Sequence, residues 1–233
     1  MSATDAYEKY RKTFRETIKV LPGSGAAISL TLKEMELSFY PGGSYYTVVP
    51  LGSKYLTAQC RIRYEGTGLL QGFWTIDGMP FSPFNINLTP KKSVILQSSP
   101  IPSTDPGIHV LSIKLKSPKL IPEMDIEIPE ILFFVSRKKR MLKVSYSPAE
   151  VIYPGNIQVK WTPLEGAKHY RLILGKTIKE IYQFRKKGKI ISNNSFSLKL
   201  PPGKYLALVI AENEKNFPIT SSQLFSFEVK ANK

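Results

Sequence analysis

The chain has 233 residues, 42% apolar and 22% charged, an ordinary globular composition that excludes a disordered or low-complexity polypeptide. Its net charge of +15 comes almost wholly from residues 137–233, where nineteen Lys/Arg stand against six Asp/Glu, while residues 31–136 balance at nine of each. A single cysteine and two histidines exclude an internal disulfide and a His-rich metal centre.

Residues 1–28 read as an N-terminal helix and linker. Asp5 and Glu8 form a capping box, and Tyr7, Tyr10, Phe14, Ile18 and Leu21 recur along one helical face over 5–21. Pro22, Gly23 and Gly25 stop that helix. No basic-then-apolar export signal precedes it, so the chain reads either as cytoplasmic or as a mature piece whose signal was replaced by a start Met. Apolar runs such as Ile131–Val135 and Leu206–Ala211 are too short to span a bilayer.

Residues 29–138 alternate with the period of strands. Leu56, Ala58, Cys60, Ile62 and Tyr64 line one face of a strand against Thr57, Gln59, Arg61 and Arg63, which makes Cys60 a buried thiol. Leu70, Gly72, Trp74 and Ile76 follow, ending in the turn signal Asp77-Gly78. Cys60, Trp74 and Asp105-x-Gly107-x-His109-x-Leu111 resemble the strand B cysteine, strand C tryptophan and strand F signature of immunoglobulin-like domains. The resemblance implies a sandwich in which His109 replaces the corner tyrosine and Leu111 the second cysteine, so the inter-sheet disulfide cannot form.

Ser136-Arg-Lys-Lys-Arg140 marks a solvated junction by its mutually repelling cations, a poor setting for calcium. Residues 139–233 then carry strands at Leu142–Tyr146, Ile157–Trp161, Tyr170–Leu174, Ile181–Phe184, Phe196–Leu200, Tyr205–Ala211 and Leu224–Val229. Trp161-Thr-Pro163 with Tyr170, and Leu200-Pro-Pro-Gly203 leading into Tyr205-Leu-Ala-Leu-Val-Ile-Ala211, resemble the B–C region and F strand of the fibronectin type III family. That implies that Tyr205 is a corner tyrosine, its hydroxyl tied to the backbone. The expected fold is therefore all-β: an immunoglobulin-like sandwich over 29–138, then a fibronectin type III-like one over 139–233.

Chemistry is sparse. No nucleophile elbow, phosphate loop or dinucleotide fingerprint is present, Asp125 and Glu127 read as the solvent side of a strand, and no enzyme activity, cofactor or metal is expected. Arg185, Lys186, Lys187 and Lys189 cluster beside Tyr182 and Phe184 and could hold an anionic partner; equally, they read as a solvated hairpin guarding a sheet edge. The partner implied by the charge asymmetry is a protein or other acidic surface, or an anionic polymer, without sequence-specific nucleic-acid recognition. Asn87-Leu-Thr89 and Asn193-Asn194-Ser195 match the glycosylation triplet. The leading expectation is a non-catalytic structural or protein-interaction module of a cell-envelope or extracellular assembly, placed in a periplasm, at a cell surface or outside the cell. Two alternatives stay open. Glu130-Ile-Leu-Phe133-Phe-Val135 resembles the last N-domain strand of periplasmic pilus chaperones, and Tyr45, Tyr46, Phe73 and Phe81, if exposed, would suit a carbohydrate-binding module.

Overall fold

A computed structural model describes residues 30–90, 92–117, 128–138, 141–147, 151–152 and 155–231. The helix expected over 5–21, the acids Asp125 and Glu127, and Lys139 and Arg140 lie outside the described residues. By internal contacts the chain groups into two compact units: Met1–Tyr45, Lys54–Ile101 and Val110–Ile131 in the first, Tyr46–Ser53, Pro102–His109 and Leu132–Lys233 in the second.

Eight strands come first: β1 (Thr31–Tyr40), β2 (Tyr46–Pro50), β3 (Thr57–Glu65), β4 (Gly68–Ile76), β5 (Met79–Leu88), β6 (Ser93–Gln97), β7 (Gly107–Ser117) and β8 (Ile131–Ser136). They form two sheets, ordered β1-β3-β6 and β2-β8-β7-β4-β5. Alternation explains β3 directly: Ala58, Cys60, Ile62 and Tyr64 are buried while Arg61, Arg63 and Glu65 face solvent. Trp74 and Leu111 are completely buried, as the sequence pattern requires of a sandwich interior. Asp77 (φ 52°) and Gly78 (φ 83°) form the two-residue turn between β4 and β5, both in the left-handed region that matches strand twist. The Asp77 carboxylate is held by the Val110 amide at 2.9 Å.

Beyond Leu142 the elements are β9 (Val144–Ser147), β10 (Val151–Ile152), β11 (Asn156–Trp161), β12 (His169–Gly175), α1 (Ile178–Gln183), a 3-10 turn (Phe184–Lys186), β13 (Lys189–Ile191), β14 (Ser195–Lys199), β15 (Gly203–Glu212), β16 (Pro218–Ser221) and β17 (Phe225–Lys230). Their sheets are ordered β14-β11-β9 and β10-β17-β15-β12-β13, with β16 added to β15. Ile157, Val159, Trp161 and Leu198 from the first sheet meet Tyr170, Leu172, Tyr205, Ala207, Val209, Phe227 and Val229 from the second in one core. The Trp161 and Tyr170 rings lie 5.4 Å apart at 56°, a tilted aromatic contact.

The two sandwiches share one topology. β1, β3 and β6 correspond to β9, β11 and β14, and the order β8-β7-β4-β5 corresponds to β17-β15-β12-β13. Each larger sheet also opens with a short strand lying parallel to its last one, β2 on β8 and β10 on β17. The strand F corners match in chemistry too. The Tyr205 hydroxyl donates to the Pro201 carbonyl at 2.9 Å, four residues upstream, as its family resemblance implied. His109 Nε2 donates to the Asp105 carbonyl at 2.8 Å, again four residues upstream. Histidine therefore substitutes for tyrosine as the corner donor, and its ring stacks on Phe133 at 5.1 Å.

One expected strand is a helix. Ile181–Phe184, read as a strand, instead lies in α1 and the 3-10 turn. Thr177 caps α1 by accepting the Glu180 amide at 3.1 Å, which satisfies one orphan amide of the first turn, and the Glu180 carboxylate reaches back to accept the amide of Lys176, just before the cap, at 2.6 Å. Ile181 is fully buried and α1 packs on β12 and β15. That cover contributes to the burial of β15, which is buried at every position from Tyr205 to Glu212, on both faces.

Candidate anion-binding surface

The outer face of β12 and β15 carries an ion network that no short motif announces. Arg171 Nε and Nη2 donate to the two Glu212 oxygens at 2.8 and 2.9 Å, and His169 Nε2 donates to Glu212 Oε2 at 2.9 Å. The side chains are 11%, 6% and 12% exposed for Arg171, Glu212 and His169. Register places His169 opposite Glu212 and Arg171 opposite Ile210, so the pairing follows from β12–β15 alignment. Arg171 Nη1 also donates to the carbonyls of Lys186 and Gly188, at 3.1 and 3.4 Å. The basic loop is thus tied down through its backbone, and glycine is required at 188: a Cβ there would stand 2.7 Å from Arg171 Cγ and 2.8 Å from the Leu172 carbonyl.

The four cations expected to act together are divided by this arrangement. Arg185 turns back, its guanidinium 3.7 Å from the Tyr182 ring centroid and its Nη1 donating to the Tyr182 carbonyl at 2.8 Å. Lys189 lies over the Phe196 ring at 4.3 Å. Such contacts hold a cation on an aromatic quadrupole. Lys186 and Lys187 are exposed and make no ion pair with a described residue.

A second basic feature, invisible in the sequence, is a cleft of about 590 Å³ formed by loops of the second unit. Arg137 follows β8, Gly166, Ala167 and Lys168 come from the β11–β12 connection, and Asn213, Glu214, Lys215 and Phe217 from the β15–β16 turn. The Asn213 side chain accepts the Lys215 and Phe217 amides, each at 3.0 Å, which fixes the turn. Lys168 stands 3.9 Å from Glu214, both largely exposed, whereas Arg137 and Lys215 make no ion pair with a described residue. The cleft therefore presents an excess of two positive charges beside the half-exposed Phe217 ring.

Of the aromatic set considered for sugar stacking, Tyr46 is buried and Tyr45, Phe73 and Phe81 are half-buried. The Tyr46 hydroxyl lies 2.6 Å from Ser221 Oγ, and Tyr45 donates to Glu36 at 2.6 Å. Phe73 lies under Lys116 Nζ at 4.5 Å. Burial pushes the Cys60 thiol well above its ordinary range, as expected of a structural cysteine. Among the described residues no three His, Cys, Asp or Glu side chains come together as a metal-ligand group. No described helix is long and apolar enough to cross a membrane.

No protein-family model and no curated protein matches the chain. Solved structures similar to it include the chicken CNTN1 FN1-FN3 domains, at 12% identity and TM-score 0.31, covering 78% of this chain and 65% of that one. The fibronectin(III)-like modules of Clostridium thermocellum CbhA are similar at 11% identity and TM-score 0.28, covering 84% and 94%. The human OSCAR ligand-binding domain is similar at 12% identity and TM-score 0.29, covering 82% and 96%. The chain spans just under two thirds of the CNTN1 structure. In its own sheet orders, core and corner contacts, the chain is an immunoglobulin-like sandwich followed by a fibronectin type III-like one.

Proposed function

We propose that this protein is a non-catalytic interaction module of a cell-envelope or extracellular assembly, and that it meets an acidic protein surface through the cleft of Arg137, Lys168 and Lys215. The observation that carries the reading is the position of those cations: three separate segments of the second unit gather them into one cleft rather than scattering them over it. The charge segregation supports it, since a neutral first half and a basic second half orient approach toward an anionic surface. Phe217 adds an apolar contact of the kind that anchors an interface core. The pilus-chaperone alternative gains nothing here, because β8 lies between β2 and β7 with all six residues buried and has no free edge to lend.

The test is retention on immobilised poly-L-glutamate across a salt series. Arg137→Glu with Lys215→Glu should elute at clearly lower salt than wild type, and by more than Lys186→Glu with Lys187→Glu, which changes net charge equally. Equal losses would reduce the cleft to general electrostatics, and unchanged retention in the first variant would remove it. Native protein found in cytosol alone would overturn the envelope placement.

A further inference from the structure

The shared topology of the two sandwiches makes their edges directly comparable, and the edges differ. β13 ends the sheet of the second sandwich. It is three residues long, begins with Lys189, and follows Arg185, Lys186 and Lys187 and the covering helix α1. Short length, cations and a covering element are the ordinary devices that stop a sheet from growing. Its counterpart β5 ends the sheet of the first sandwich and, among the described residues, has none of them over its second half. β5 is ten residues long, Met79-Pro-Phe-Ser-Pro-Phe-Asn-Ile-Asn-Leu88, without a charged residue, in a chain that carries +15. Pro80 and Pro83 remove donors from its first half. From Phe84 to Leu88 the backbone is complete, and among the described residues its far side pairs with no strand.

In polarity those five residues read the same in either direction: apolar, Asn, Ile, Asn, apolar. Set antiparallel to a second copy about Ile86, Phe84 faces Leu88, Asn85 faces Asn87, and Ile86 faces itself. Directly opposed residues in an antiparallel pair lie on the same face. Phe84, Ile86 and Leu88 would therefore extend one apolar row, and the exposed Asn85 and Asn87 would make an amide row on the other face. The register of β5 itself is pinned. Gly72 lies opposite Phe84, and a Cβ on Gly72 would stand 2.6 Å from Phe84 Cζ, so the ring lies across the glycine. Strand addition across a two-fold axis is an isologous contact that closes at two chains.

We infer that β5 is a self-pairing edge, at which two copies of this chain join antiparallel through Phe84–Leu88 with the two-fold axis at Ile86. A dimer of this form would present the basic cleft twice, so an acidic partner would be met bivalently. The dimer does not depend on the cleft reading, nor the cleft on the dimer.

Sedimentation velocity on the full chain, over a concentration series reaching hundreds of micromolar, decides it. Wild type should pass from one to two chain masses as concentration rises. Asn85→Lys with Asn87→Lys sets lysine against lysine at both amide pairs and should stay at one chain mass. Asn85→Lys with Asn87→Glu sets lysine against glutamate in this register alone and should restore two. All three substitutions are on exposed positions, and unchanged circular dichroism would confirm folding. A wild type at one mass throughout, a Lys/Lys variant that still associates, or a Lys/Glu variant that does not, each overturns the proposal.

Discussion

Arg171→Met should destabilise the second sandwich far more than removing one charge from a protein surface usually does. The substitution keeps only the apolar stem of the side chain and deletes both bonds to Glu212 and both loop carbonyl bonds. Glu212 is 6% exposed, so its carboxylate would remain desolvated with His169 as its remaining partner. Breaking a buried ion pair from one side costs about 3–5 kcal/mol, because the surviving charge is left uncompensated. With a urea slope of about 2 kcal/mol/M, that moves the unfolding midpoint down by roughly 1.5–2.5 M. The readout is urea titration followed by tryptophan emission, since Trp161 lies in the affected core. Arg171→Met combined with Glu212→Leu should recover most of the loss, as replacing a whole buried pair with apolar groups is often near neutral. A single-variant shift below about 0.5 M, the value of an exposed pair, would refute the account of Arg171 as a buried clamp. So would a double variant weaker than the single one.

The remaining expectations are simpler. Tyr205→Phe should cost about 1 kcal/mol, the net value of its hydroxyl bond to Pro201, and His109→Phe a similar amount through Asp105, both measurable by urea titration. Gly72→Ala should destabilise by more than that, because the new Cβ would stand 2.3 Å from the Lys114 carbonyl and 2.6 Å from Phe84; an unchanged midpoint would show that β4 and β7 can separate freely. Cys60 should resist thiol reagents in the native protein and react at its ordinary rate in urea, and native labelling at the denatured rate would contradict its burial. Because burial raises that thiol's pKa, its contribution to stability is complete below the unfolded thiol value, about 8.5, and is lost as pH climbs above it.

The strands were legible where one face is wet. β3 and β11 alternate cleanly, the Asp77-Gly78 turn has the residues its geometry demands, and Tyr205 announced its corner. Where both faces are covered, alternation carries no information. Arg171 reads as the solvent side of a strand until α1 and its loop are known to lie over it, and Glu212 is 41 residues away. The signal for α1 was present in Thr177-x-x-Glu180, but its first turn is followed by Ile181, Tyr182 and Phe184, an apolar spacing that a short strand shares. The cleft was out of reach for another reason: Arg137, Lys168 and Lys215 meet only because three loops end together, and no local pattern encodes that.

The parallel pairing of β2 with β8 has a mechanical consequence. Five registered positions, Tyr46 with Leu132 through Pro50 with Ser136, join strands separated by some eighty residues of intervening chain. Tension drawing those two strands lengthwise in opposite senses would load their bonds side by side in shear, so they must give way together. Pulling an antiparallel hairpin apart from its open end instead breaks bonds one after another. A tethered assembly under stretch would find its resistance at that seam rather than in the larger apolar interior.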